Sequence, residues 1–122
     1  MKDTPWKSDK WFVSPWNYKD EIVSEFQFAD EIKIHDVTLR DGEQQTGIVM
    51  NREEKVKIAR ALSDAGVHRI EAGMPVVSAD DEAAIKEIVD MDLDAEIFSF
   101  ARCMVPDVMR AKDCGVKGII VE

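Results

Sequence analysis

Four short apolar runs divide the chain: Ile32 to Val37, Val67 to Ala72, Ala95 to Ala101 and Val116 to Val121. Each has the length and the β-branched or aromatic content of a strand. Between them apolar residues recur at spacings of three and four. Val56, Ile58, Ala59 and Leu62 form one such stripe, Ala84, Ile85, Ile88 and Val89 a second, and Val108, Met109 and Ala111 a third. Asn51 precedes Arg52-Glu53-Glu54, and Ser78 precedes Ala79-Asp80-Asp81-Glu82, so two of these helices open on an N-cap residue with acids in the first turn. Pro106 stands where the third begins. Two exits share a phrase, Asp64-Ala65-Gly66-Val67 and Asp113-Cys114-Gly115-Val116. In each, glycine takes the left-handed position after the helix and valine starts the next strand.

The predicted order is therefore βαβαβαβ at roughly 25–30 residues per unit, the cadence of parallel strands joined by right-handed crossover helices. The fourth strand runs to Glu122 with no helix after it. A closed eight-stranded barrel needs about 250 residues. Four strands apolar on both faces with two bare edges would invite aggregation. The expected fold class is thus α/β, with residues 31–122 as a partial (β/α)8 barrel, the N-terminal half of a TIM barrel truncated at its C-terminus, in preference to a small open sheet.

Residues 1–30 break the pattern. Trp6, Trp11, Phe12, Trp16, Tyr18, Phe26 and Phe28 crowd into them, while Phe98 and Phe100 are the only later aromatics. Pro5 and Pro15 interrupt any long helix. The segment reads as an N-terminal extension lying across a partner surface, with a short strand or hairpin. Three tryptophans carry too much apolar area to leave in water, so packing within the chain or between subunits is expected, with substrate stacking as the alternative.

Composition narrows the function classes. At 122 residues, 45% hydrophobic and 34% charged, the chain is large enough for one domain with a real core. Its net charge of −9 argues against nucleic acid and anionic membranes as partners. No apolar run approaches the ~20 residues of a membrane helix, and the N-terminus lacks the apolar core of a secretory signal. Cys103 and Cys114 form neither a metal-like pair nor a disulfide framework. A cytoplasmic setting with reduced thiols is expected.

The chemistry concentrates at strand ends, where α/β folds keep their sites. Asp36-Val37-Thr38-Leu39-Arg40-Asp41-Gly42-Glu43-Gln44 follows the first strand. It sets a permanent cation beside a hard oxygen ligand where the backbone turns. Glu71 ends the second strand, Arg102 follows the third and Glu122 the fourth. Each also has a structural reading: Arg40–Asp41 as a turn ion pair, Glu71 as a buried partner for Arg40 or Arg102, Arg102 as a carbonyl cap. His35 and His68 lie in or at the start of strands, away from the catalytic end, and are expected to be structural or surface residues.

DVTLRDGEQ followed by a helix and then by GVHRIEAGMPVVSADD resembles the N-terminal half of the metal-dependent acyl-CoA/2-oxo acid condensing enzymes. These are the 2-isopropylmalate, homocitrate and citramalate synthases, with hydroxymethylglutaryl-CoA lyase as a relative. The resemblance runs from Ile34 to Glu122. It implies an acyltransferase joining an acyl-CoA, acetyl-CoA foremost, to a 2-oxo acid in a Claisen-type step, in amino-acid biosynthesis, with a divalent metal (Mg²⁺, Mn²⁺ or Zn²⁺) and a homodimeric assembly. It implies Asp41 as a metal ligand, Arg40 as the group that neutralises oxyanion character, and Glu43 as a supporting catalytic acid. Gln44, Glu71 and Arg102 are implied beside the substrate.

The chain departs from that family in several places. The family's His-x-His metal ligands are missing, so the 122 residues alone are expected to be inactive. Gln45-Thr46-Gly47 stands where such synthases often have a proline before the glycine. Arg102-Cys103-Met104 lacks the histidine that homocitrate synthases tend to carry there, which counts against that substrate. Two other readings remain: a lyase or aldolase of the same superfamily cleaving a C–C bond, against which Glu43-Gln44 argues, and a non-catalytic half-barrel module that dimerises to close its sheet.

Overall fold

The computed structural model describes residues 4–122, which fall into two compact units, Met1–Ile32 and Lys33–Glu122. In the first unit, an antiparallel bridge pairs Lys7 with Phe12. Ser14 then accepts the N–H of Trp16 and opens a 3₁₀ turn over Pro15–Tyr18, followed by the short helix α1, Asp20–Val23. The Trp6 ring tilts against Tyr18 with centroids 6.2 Å apart, and Lys19 lies over Trp16 at 4.2 Å. Trp11, Phe12, Trp16, Phe26 and Phe28 stay largely exposed.

The second unit alternates strands and helices: β1 (His35–Asp36), α2 (Arg52–Asp64), β2 (Arg69–Glu71), α3 (Ala79–Asp90), β3 (Glu96–Ala101), α4 (Val105–Asp113) and β4 (Gly118–Val121). All four strands are parallel and lie in the order β1-β2-β3-β4, so each crossover advances by one strand. Sequential parallel strands joined by helices are the arrangement of a (β/α)8 barrel, of which this unit presents a half.

Local sequence explains the helices. Asn51 accepts the Glu54 N–H at 3.0 Å and the Glu54 carboxylate accepts the Asn51 N–H at 2.8 Å, closing a capping box at the start of α2. Ser78 caps α3 by accepting the Asp81 N–H at 3.0 Å. Gly66 and Gly115 end α2 and α4 at positive φ, where a side chain would be strained.

The first strand is shorter than the expected Ile32 to Val37. Asp36 accepts the backbone N–H of Thr38 at 2.9 Å and its hydroxyl at 3.2 Å. That local turn competes with the sheet ladder and ends it at Asp36. The burial of α2 also differs in detail. Its fully covered line is Lys55, Ala59 and Ser63, with Val56, Ile58 and Leu62 only partly buried beside it.

The core lies between sheet and helices. Leu39, Ile70, Ile85 and Ile88 are completely enclosed and pack with Ala59 and Ile97. Each buried aliphatic side chain contributes about 1.5–3 kcal/mol relative to exposure. The opposite face of the sheet carries polar and aromatic side chains in contact with one another: His35, Arg69, Glu71, Glu96, Phe98 and Phe100. Burial therefore settles one face of each strand and leaves the other for chemistry.

Candidate active site

The turn after β1 places the leading residues. Val37 C=O accepts the N–H groups of Arg40, Asp41 and Gly42 at 3.1, 2.8 and 3.2 Å, and a 3₁₀ turn over Gly42–Gln44 continues it. Leu39, wholly buried, anchors this turn in the core, so its neighbours Arg40 and Asp41 stand at the carboxyl end of the strand. Arg40 Nε donates to Glu71 Oε1, and Arg40 Nη1 donates to Asp41 Oδ1 at 3.2 Å. The guanidinium lies over the Phe100 ring, 4.8 Å from its centroid. The Glu71 side chain is 3% exposed and that of Asp41 63%. A buried carboxylate thus holds the arginine from within, while an exposed one faces outward.

Glu43 turns the other way. Its carboxylate lies 2.7 Å from Lys55 Nζ and accepts the Met50 N–H at 3.3 Å. Lys55 also donates to Asp81, whose second oxygen accepts the Ser78 hydroxyl at 2.6 Å. Burial disfavours the lysine cation, but bonds to Asp81 and Glu43 outweigh it and hold the Lys55 pKa above its ordinary value. One buried cation thereby ties the Gly42–Gln44 turn to the first turns of α2 and α3. A cavity of about 400 Å³ opens between the two loops, bordered by Arg40, Gln44, Glu43 and Lys55 and by the apolar Leu39 and Met74.

Of the residues singled out from sequence, Arg40, Asp41 and Glu71 meet directly, and Gln44 shares the cavity wall with Arg40. Arg102 sits elsewhere. Its Nε and Nη2 donate to Asp107 Oδ2 and Oδ1 at 2.5 and 3.1 Å, joining the end of β3 to the first turn of α4. Asp107 rather than Glu71 is its partner, and the Arg102 side chain remains 54% exposed. Glu122 contributes backbone bonds, to Ala101 C=O and from Cys103 N–H.

Sequence reasoning missed three participants. Lys55 was legible as a lysine in helical register with Ala59 and Ser63. Asp81 had been read only as a first-turn acid. His35, expected to be a structural or surface residue away from the catalytic end, instead lies with Nε2 3.2 Å from Glu71 Oε2. His68 does serve the backbone, accepting the Ile34 N–H through Nδ1 at 3.0 Å.

The metal implied by the family resemblance does not find a complete site in these residues. Among the described residues no group of three or more His, Cys, Asp or Glu side chains could hold an ion. Asp41 offers one exposed carboxylate beside Arg40, and such sites normally need about three protein ligands. Among the described residues no helix is long and apolar enough to cross a membrane.

Comparison with known proteins identifies the family. Residues 31–122 match the HMGL-like family model. Over 111 residues the chain is 44% identical to homocitrate synthase AksA of Methanothermobacter thermautotrophicus, an alignment covering 91% of this chain and 27% of that protein. It is 50% identical over 99 residues to 2-isopropylmalate synthase of Methanocaldococcus jannaschii, covering 81% of this chain and 19% of that one. A putative (R)-citramalate synthase CimA of Archaeoglobus fulgidus is 48% identical over 91 residues, 75% of this chain and 19% of the relative. The chain therefore spans about a quarter or less of the curated relatives it matches.

Proposed function

The chain belongs to the HMGL-like family, and from that premise we propose that it supplies the first strand ends of an active site condensing an acyl-CoA, acetyl-CoA foremost, with a 2-oxo acid. In that reaction the C–H bond next to the thioester is broken, and the resulting enolate attacks the keto carbon. The former carbonyl oxygen takes up a proton, and water then cleaves the thioester to release CoA. Negative charge passes over oxygen atoms throughout, and a preorganised cation is worth most at such positions.

The observation that carries this reading is Arg40, held through Nε by the buried Glu71 with Asp41 beside it at the strand's carboxyl end. The guanidinium binds an anionic oxygen of the 2-oxo acid, and the Gln44 amide lines the same cavity. Glu43, engaged by Lys55, holds the turn in place. A divalent ion enters the reading only with Asp41 as one of several ligands, the others lying outside the described residues. Which 2-oxo acid is used follows from strand ends beyond these four.

The test is an assay in the complete coding frame that contains residues 1–122. Free CoA thiol released from acetyl-CoA is followed with pyruvate, 2-oxoisovalerate and 2-oxoglutarate in turn. Release with one of them, abolished by Asp41→Ala, is expected. Turnover unchanged in Asp41→Ala, or no release with any 2-oxo acid, sinks the assignment.

A further inference from the structure

Glu71 is buried, yet both of its oxygens are engaged: Oε1 by Arg40 Nε and Oε2 by His35 Nε2, the latter at 3.2 Å. A carboxylate facing a guanidinium alone tends to take two parallel N–H bonds. With Oε2 engaged by His35, Glu71 takes Arg40 by Nε. Nη1 donates to Asp41 at 3.2 Å, so Glu71 and Asp41 hold the guanidinium through Nε and Nη1. Two phenylalanines two residues apart on β3 hold the ends of this chain of contacts. Phe98 meets the His35 ring edge-on, with centroids 5.4 Å apart and planes at 74°, and Phe100 lies under Arg40.

We infer that His35 is a positioning residue. By holding the second oxygen of Glu71 it fixes the carboxylate that fixes Arg40, and so keeps Nη2 of the guanidinium in place for an anionic oxygen of the substrate. A carboxylate only accepts, so the arrangement requires the Nε2–H form of His35. What the guanidinium binds rests on the proposed condensation. The His35–Glu71–Arg40 geometry does not.

Long-range ¹H–¹⁵N NMR of the chain reads the His35 tautomer directly, and the solvent exchange of Arg40 Nε–H reads the far end. His35→Phe keeps a ring against Phe98 but removes the donor, whereas His35→Gln restores an N–H near the same place. The expected result is an Nε2–H tautomer, Arg40 Nε–H exchange about five- to tenfold faster in His35→Phe, and recovery to within about twofold in His35→Gln. An Nδ1–H tautomer in the unsubstituted chain overturns the inference even if His35→Phe fails to fold, as does exchange that is the same in His35→Phe. Titration with pyruvate, 2-oxoisovalerate and 2-oxoglutarate in turn, in the complete coding frame, separates the two ideas. An intact His35–Glu71–Arg40 signature whose Arg40 signals ignore all three supports the positioning role and removes the proposed substrate class.

Discussion

Gly118 lies directly against the ring of Phe98: a Cβ built on Gly118 would fall 2.2 Å from Phe98 Cε1. The two residues are register partners on β4 and β3, so the glycine makes room for the ring on the polar face of the sheet. Phe98 in turn meets His35 and sits beneath Arg69. Gly118→Ala is therefore expected to push Phe98 off His35 and to destabilise the fold by about 1–3 kcal/mol. Urea denaturation measures the cost and the His35 ring resonances report the displacement. An alanine variant with unchanged stability and unchanged His35 shifts would contradict this account.

Lys55 is 3% exposed and lies between the carboxylates of Glu43 and Asp81. Lys55→Met fills similar space but leaves two acids facing each other without a cation. The expected loss is about 3 kcal/mol, near the lower end for breaking a buried pair because both acids retain some access to water. Chemical denaturation decides the matter, and a loss below about 0.5 kcal/mol, the level of an ordinary surface change, would show the network to be inert.

Asp107 provides a pH test. Hydrogen bonding from Arg102 holds its pKa below the ordinary aspartate value against the opposing effect of burial, with the Arg102 and Arg110 charges adding to the lowering. A depressed folded-state pKa means that the pair's contribution is present above the unfolded value, about 3.9, and disappears as pH falls through the folded one. Asp107→Asn should lower the melting temperature at neutral pH and flatten its decline in acid below that point. Parallel melting curves for both proteins between neutral and strongly acidic pH would refute the assignment.

Asp41 separates chemistry from folding. Its side chain is 63% exposed and, among the described residues, bonded only to its neighbour Arg40. Asp41→Ala should change stability by no more than about 0.5 kcal/mol while removing CoA release in the complete frame. A strongly destabilised variant would mean that the carboxylate serves the turn, and loss of activity could no longer be credited to a ligand role.

The helices were legible because their signals are local. Asn51 with Glu54, Ser78 with Asp81, and the glycines at 66 and 115 each act within a few residues, and each does in the structure what its type favours. The end of β1 was misjudged by one residue for an equally local reason, the Asp36 side chain bonding to Thr38. The site was legible only in part. DVTLRDGEQ identified Arg40 and Asp41 by residue type, but their partners come from far along the chain: Glu71 lies 31 residues from Arg40 and 36 from His35.

What the sequence determined by itself is the alternation of strands and helices, the boundaries of the helices and the family to which the motif belongs. All of these depend on periodicity and on interactions between near neighbours. Only the tertiary structure decided that Glu71 takes Arg40 while Arg102 takes Asp107, that Lys55 is buried between two acids, and that His35 faces the site. The last follows from parallel register, which sets His35 beside Arg69 and Phe98 beside Gly118, while the helix crossovers bring Lys55 to Asp81. Once strands lie about 4.8 Å apart, side chains distant in sequence compete for the same carboxylate, and geometry selects the partner that composition alone leaves open.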